Sequence, residues 1–143
     1  MSSTIEVLIV DDHPLLRQGL STLLELEGGI TVVGQASNGP EALRLAEELQ
    51  PDVILLDINM PGMNGIEVAK IARERHPEIG ILVLTIHDDE TYVNEMIRSG
   101  AKGYLLKDAE PRQVVQAIKQ VARGGSVYPT ELMERVMERY HEL

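Results

Sequence analysis

Three acidic residues stand directly after short aliphatic runs: Asp11 and Asp12 follow Val7-Leu8-Ile9-Val10, and Asp57 follows Val53-Ile54-Leu55-Leu56. Runs of this kind read as strands covered on both faces, so all three carboxylates fall at strand ends. In open parallel sheets the ligand crevice lies outside the carboxyl ends of the strands, where connections diverge to opposite faces. If strands one and three are neighbours, the carboxylates meet there. Three carboxylates so close repel one another, and without a cation at least one pKa should rise. A divalent cation resolves the conflict. A few hard oxygen ligands with room left for water and phosphate describe a Mg²⁺ site better than a Ca²⁺ cage or a transition-metal site. His13 comes next, but Pro14 follows it, which points to helix entry more than to ligation. The acidic pair by itself could simply cap the first helix.

Thr85 closes a fourth strand run and Lys107 lies just beyond a fifth, so a hydroxyl and an ammonium reach the same edge. A lone Thr at a strand end is usually structural and a lone Lys usually solvated; their joint placement carries the weight. Together the residues supply a nucleophilic carboxylate, a metal cradle, a hydrogen-bond donor and a point charge, the parts needed to move a phosphoryl group onto Asp57. Lys107 would bind phosphoryl oxygens by charge, and Thr85 would donate one hydrogen bond to them.

The elements that must position these groups follow from periodicity. Strands are expected over residues 5–10, 31–36, 53–57, 79–85 and 103–106, alternating with helical stretches, the pattern of an α/β domain around a parallel sheet. The first helix carries Leu16, Leu20, Leu23 and Leu24 as one stripe and stops at Gly28-Gly29. Asn38 and Asn64 each precede a Glu by three residues, resembling capping boxes that open helices near 39–50 and 65–75. A fourth helix is expected from Asp89 to Ser99, ending at Gly100. A fifth is expected with Asp108 as cap and Pro111 in its first turn, stopping at Gly124-Gly125. Beyond Gly125, Tyr128-Pro129-Thr130 restarts a helix with Leu132, Val136 and Tyr140 on one face and Met133 and Met137 beside it. That face needs a cover: its own domain, another protomer, or the remainder of a longer protein. The expected division is therefore residues 1–125 as one domain and 126–143 as a helical tail.

The 143 residues suit a single domain with a substantial core. With no Phe, no Trp and four Tyr, that core must be mainly aliphatic. A formal charge of −10 without any basic block argues against direct nucleic-acid contact by these residues. No cysteine is present, which excludes disulfides, thiolate catalysis and cysteine-based zinc sites and suits a reducing cytoplasm. The longest apolar runs are far too short to span a bilayer, and residues 1–6 carry no secretion-signal pattern.

The words Val10-Asp11-Asp12-His13-Pro14, Leu56-Asp57-Ile58-Asn59-Met60-Pro61-Gly62-Met63-Asn64-Gly65, Leu84-Thr85 and Lys102-Gly103-Tyr104-Leu105-Leu106-Lys107 resemble the receiver domains of two-component response regulators, from about Ile5 to Gly124. The phrasing Thr85-Ile86-His87-Asp88-Asp89 and Gly103-Tyr104-Leu105-Leu106-Lys107-Asp108 is similar to the NarL/FixJ branch, whose members usually carry a LuxR-type helix-turn-helix DNA-binding domain. The resemblance implies a flavodoxin-like (βα)5 three-layer sandwich with a parallel five-stranded sheet in the order 2-1-3-4-5, to which the pattern beyond Gly125 adds a short C-terminal helix. It further implies that Asp57 accepts phosphate from a phosphohistidine on a sensor histidine kinase. Asp12, Asp57 and the backbone carbonyl of Asn59 would bind Mg²⁺, with Asp11 assisting directly or through water. Thr85 and Lys107 would take the phosphoryl oxygens, and Thr85 would couple to rotation of Tyr104, unless Tyr104 is an ordinary surface aromatic. Such a switch biases a two-state surface that a partner or a second protomer reads, so a homodimer on phosphorylation is expected. DNA would be reached only through a C-terminal helix-turn-helix domain that these residues do not contain. The implied protein is a cytoplasmic signalling switch and not an enzyme, apart from self-catalysed phosphoryl transfer and dephosphorylation.

Two neighbours would tune the lifetime of the phosphoryl group: Ile86, bulkier than the small residue often found there, would screen it from water, and His87 lies one residue further on. Many receivers place a cis proline after the lysine where this chain has Asp108. The resemblance thus raises the expectation of a non-proline cis bond, at a cost of about 3 kcal/mol. Two other classes compete. A phosphohydrolase of the haloacid dehalogenase type would need a second Asp two residues beyond the nucleophile, where Asn59 stands. A flavin-binding module would need a phosphate-cradling hydroxyl and glycine loop where Asp12-His13-Pro14 stands.

Overall fold

The structure is a computed structural model of the chain and describes residues 4–58, 60, 62, 64–85, 95, 98–128, 134, 137 and 138. Its elements run β1 (Ile5–Val10), α1 (Pro14–Leu26), β2 (Ile30–Ala36), α2 (Gly39–Leu49), β3 (Val53–Asp57), α3 (Gly65–Arg75), β4 (Gly80–Thr85), β5 (Gly103–Leu106) and α4 (Pro111–Ala122). All strand pairs are parallel, in the order β2-β1-β3-β4-β5. The chain goes outward from β1 to β2 and then back past β1 to β3, so the connections leaving β1 and β3 pass on opposite faces. That reversal creates a crevice at the carboxyl ends of these two strands.

The period of two along each strand divides the core. Leu8, Val10, Ile54, Leu56, Ile81 and Val83 face α2 and α3, whereas Val7, Ile9, Val53, Leu55, Leu82 and Leu84 face α1 and α4. β1 and β3 to β5 are thus apolar on successive positions, as a sheet sandwiched between helices requires.

Local chemistry sets the helix starts. Asn38 Oδ1 accepts from the Glu41 N–H at 2.9 Å, and Asn64 Oδ1 accepts from the Glu67 N–H at 3.0 Å. At α2 the reciprocal Glu41 carboxylate takes the Ser37 N–H at 2.9 Å, one residue before the cap that the capping-box pattern would assign. The expected Asp108 cap is corrected: α4 is capped by Glu110, whose N–H donates to Gln113 Oε1 at 2.9 Å. Pro111 occupies the first helical position, which leaves residue 110 as the cap. The Lys107-Asp108 peptide is trans, and no cis bond occurs among the described residues; without the tertiary amide of proline, trans is the favoured isomer.

The expected helix from Asp89 to Ser99 falls largely outside the described residues. Within it Glu95 and Arg98 are helical, the Ser99 N–H reaches Glu95 O at 2.9 Å, and Gly100 turns with φ +92°. After α4, residues 126–128 return to the β5 edge. The Tyr104 N–H donates to Val127 O at 2.8 Å, the Val127 N–H to Lys102 O at 3.0 Å, and the Tyr128 hydroxyl to Ala101 O at 3.0 Å. Burial raises the Tyr128 pKa above its usual value, which keeps this hydroxyl a donor. Further on, Glu134, Met137 and Glu138 are helical, and the expected tail positions Leu132, Met133, Val136 and Tyr140 lie outside the described residues.

Candidate functional site

Parallel register carries four strand ends to one edge: Val10 pairs with Leu56, Asp57 with Leu84, and Thr85 with Leu106. Asp11 and Asp12 leave β1 beside Asp57, and Lys107 leaves β5 beside Thr85. The Lys107 N–H donates to Thr85 O at 2.7 Å, extending the β4–β5 ladder by one rung and fixing where the lysine stem begins.

Asp57 is 2% exposed, and Asp11 and Thr85 are likewise buried. Lys107 Nζ lies 3.1 Å from Asp57 Oδ2 and 3.7 Å from Asp11 Oδ2, bridging both carboxylates. On the other side His13 Nδ1 lies 3.1 Å from Asp11 Oδ1 and 3.0 Å from Asp12 Oδ1. One ligand atom from each of Asp11, Asp12, His13 and Asp57 can be chosen so that all four lie within 4.8 Å of one another. Asp12 Oδ1 is buried and accepts no hydrogen bond from the described residues. The nearby His13 nitrogen is not aligned to donate to it. A buried anionic oxygen without a donor is unfavourable, and a cation beside it would remove that cost. The cluster therefore has the donor chemistry of a hard-cation site.

The structure brings together Asp11, Asp12, Asp57, Thr85 and Lys107 as the sequence suggested. Tyr104 is fully buried in the α2/α3 half of the core, paired in register with Val83, and is not a surface aromatic. Asn59, Ile86 and His87 lie outside the described residues. Two contributors were missed. Arg17 Nη1 donates to Asp11 O at 2.6 Å, anchoring the loop that presents the acidic pair; its position one turn into an expected helix beside Asp11 was the available signal. Gly65 sits so close beneath Asp57 that an added Cβ would lie 2.6 Å from Ile58 Cα and 2.8 Å from Asp57 O. Its N–H also donates to Ile58 O at 3.1 Å.

Comparison with known proteins agrees with this geometry. The family described as response regulator receiver domain matches residues 7–119. The chain is 47% identical over 121 residues to the nitrate/nitrite response regulator protein NarL of Escherichia coli strain K12, covering 85% of this chain and 56% of that protein. It is 40% identical over 139 residues to the transcriptional regulatory protein DegU of Brevibacillus brevis, covering 97% and 59%. It thus spans a little over half the length of these two relatives. A crystal structure of a LuxR-family two-component response regulator from Aurantimonas sp. SI85-9A1 superposes with a TM-score of 0.90 at 33% identity, covering 96% of this chain and 99% of that one. A buried Asp beneath an acidic pair, a bridging lysine at the same sheet edge, this strand order and these matches lead to one assignment: the chain belongs to the response regulator receiver domain family.

Proposed function

We propose that Asp57 accepts a phosphoryl group from a phosphohistidine on a sensor histidine kinase, and that residues 1–125 form the switch unit carrying this chemistry, with residues 126–143 as its tail. In the transfer, the nitrogen–phosphorus bond of the donor breaks, an oxygen–phosphorus bond forms at the Asp57 carboxylate, and the imidazole leaves. The observation that supports this most is Lys107 Nζ at 3.1 Å from a carboxylate oxygen that is almost wholly withdrawn from water. Lys107 holds phosphoryl oxygens by charge, and Thr85 donates a hydrogen bond to them. Asp11, Asp12, Asp57 and the Asn59 carbonyl would hold Mg²⁺, whose contribution is to neutralise charge on the phosphoryl oxygens. The orphaned Asp12 Oδ1 and the three carboxylates gathered beside it fit that ion.

Once Asp57 is phosphorylated, Thr85 moves toward the new charge and Tyr104 responds, changing the surface around β5 that a partner or second protomer reads. The backbone hydrogen bond between Lys107 and Thr85 ties the two phosphoryl-binding residues to the strand that carries Tyr104. Transcriptional output through a helix-turn-helix DNA-binding domain, a cytoplasmic location, and self-catalysed gain and loss of phosphate complete the reading. Among the described residues no helix is long and apolar enough to cross a membrane.

The test is intact mass after incubation with a small acyl-phosphate donor, with and without Mg²⁺, on the parent chain and Asp57→Ala. One phosphoryl adduct requiring both Mg²⁺ and Asp57 is expected. An adduct that survives in Asp57→Ala would move the acceptor elsewhere. Ile86 screens the acyl phosphate from water in this reading, so Ile86→Ala should shorten the adduct's half-life; an unchanged half-life removes that role.

A further inference from the structure

Asp12 falls between β1 and α1, so neither a strand ladder nor a helix sets the direction of its carboxylate. Its Cα joins two rigid peptide planes, and once both planes are held, its backbone torsions and Cα–Cβ direction are fixed. The plane after it is held by the His13 N–H, which donates to Asp11 Oδ1 at 2.8 Å. The plane before it is held at Asp11 O, which accepts from Arg17 Nη1 at 2.6 Å. Further out, the Asp11 N–H donates to Ala36 O at 3.0 Å, and His13 O accepts from the Arg17 N–H at 3.0 Å. Arg17 therefore grips both flanks of Asp12, with its guanidinium before and its main chain after. The guanidinium is itself braced from β2, where Gln35 Oε1 accepts from Nε at 3.3 Å. Its planar fork holds these donors in fixed relation, so one side chain ties α1, the acidic loop and β2 together.

Charge and geometry give Arg17 opposite effects on a cation. A guanidinium near a cluster of carboxylates repels any cation entering it, so removing the charge would by itself strengthen cation binding. A loop released from its hydrogen bonds must instead be ordered again when the ion binds, and that ordering subtracts from affinity. We infer that Arg17 is a positioning residue for the cation cradle. By holding the peptide plane between Asp11 and Asp12 it keeps the buried, donorless Asp12 oxygen gathered with the other carboxylates, and this outweighs the repulsion from its own charge. The inference rests on the phosphoryl-acceptor reading, because it concerns the same cradle.

Mg²⁺ affinity is measured by calorimetry on the full chain, Arg17→Met, Gln35→Ala, Leu24→Ala and Asp12→Ala, and solvent exchange of the His13 amide is followed by NMR before metal is added. Arg17→Met keeps an apolar stem and loses donor and charge together. It should bind Mg²⁺ about tenfold more weakly, the lower end of the effect of outer-shell partners, and its His13 amide should exchange faster. Gln35→Ala keeps the guanidinium and should lose affinity in the same direction by less. Leu24→Ala weakens the core at the other end of α1 and should bind Mg²⁺ as the parent does, which separates loop order from general stability. Equal or tighter binding by Arg17→Met overturns the inference, as does a loss shared with Leu24→Ala or one without faster exchange at His13. If Arg17→Met does not fold, Gln35→Ala decides in its place by the same two readouts. In each of these cases Asp12-dependent binding by the parent leaves the phosphoryl-acceptor reading standing. If the parent binds no Mg²⁺, or binding survives Asp12→Ala, the proposed cradle itself falls and this inference with it.

Discussion

The two faces of the sheet carry helices of the same period and use them differently. On the α2/α3 face, Ala42, Ala46, Ala69 and Ala72 are all essentially inaccessible, and their small side chains let both helices sit close to Leu8, Ile54 and Leu56. On the opposite face α4 buries Val114, Val115, Ala117, Ile118 and Val121, yet α1 buries Leu24 alone. Leu15 and Leu26 are 83% and 76% exposed, and Leu16 and Leu23 are also exposed. Between α1 and α4 lies a cleft of about 840 Å³ that reaches from Leu20, Leu23 and Val114 to Asp11, His13 and Lys107. One face therefore spends its apolar residues on stability. The other leaves much of an apolar stripe uncovered at the mouth of the site, so α1 can change its outer surface without the core registering it.

The largest effects should come from the closed face. Leu56 is fully buried one residue before Asp57, and Leu56→Ala should lower unfolding free energy by about 2–5 kcal/mol in urea titrations. A loss under about 1 kcal/mol would mean that this face is looser than its burial implies. Gly65→Ala comes next. Its Cβ would meet backbone of Ile58 and Asp57, which cannot swing aside as a side chain end can. We expect a loss of roughly 1–3 kcal/mol, typical of overpacking, together with slower phosphoryl acceptance at Asp57. Asn64→Ala at the neighbouring cap should cost about 1 kcal/mol and leave the rate of phosphoryl acceptance unchanged, since the cap bonds the Glu67 N–H and not Asp57. If both variants slow acceptance alike, Gly65 acts through helix stability and not through the position of Asp57.

These effects also mark where sequence is informative. The start of α3 at Gly65 and of α2 at Gly39 was legible because Asn64 and Asn38 bond within three residues of themselves. The site was legible because parallel strands of nearly uniform length must end at one edge, so Asp11, Asp57, Thr85 and Lys107 converge once the order of strands is known. Asp108 misled because it resembles a cap, while Pro111 set the true one at Glu110. The contacts of His13 and Arg17 with the acidic loop, and of Gly65 with the backbone before the loop that precedes it, depend on how a turn folds back on itself. No residue spacing encodes that. Nor did the stripe of α1 disclose that Leu16 and Leu23 would stay exposed, because periodicity names a face without naming what covers it.

The stripe itself gives the sharpest form of the comparison, because two adjacent leucines of α1 fall on either side of it. Leu24 is fully buried against the α4 side of the core, and Leu23 is 42% exposed on the cleft. Leu24→Ala should therefore cost about 3 kcal/mol, with the usual spread of a filled core site. Leu23→Ala removes the same atoms from the same helix with the same change in helix propensity, and should cost no more than about 1 kcal/mol. Leu15→Ser, further out on the same helix, should stay within about 0.5 kcal/mol apart from its propensity difference. The ratio within one helix cancels most effects on the unfolded chain, so it reads burial directly. Equal losses at positions 23 and 24 in chemical denaturation would show that the cleft is closed in solution and that the two faces of the sheet are packed alike.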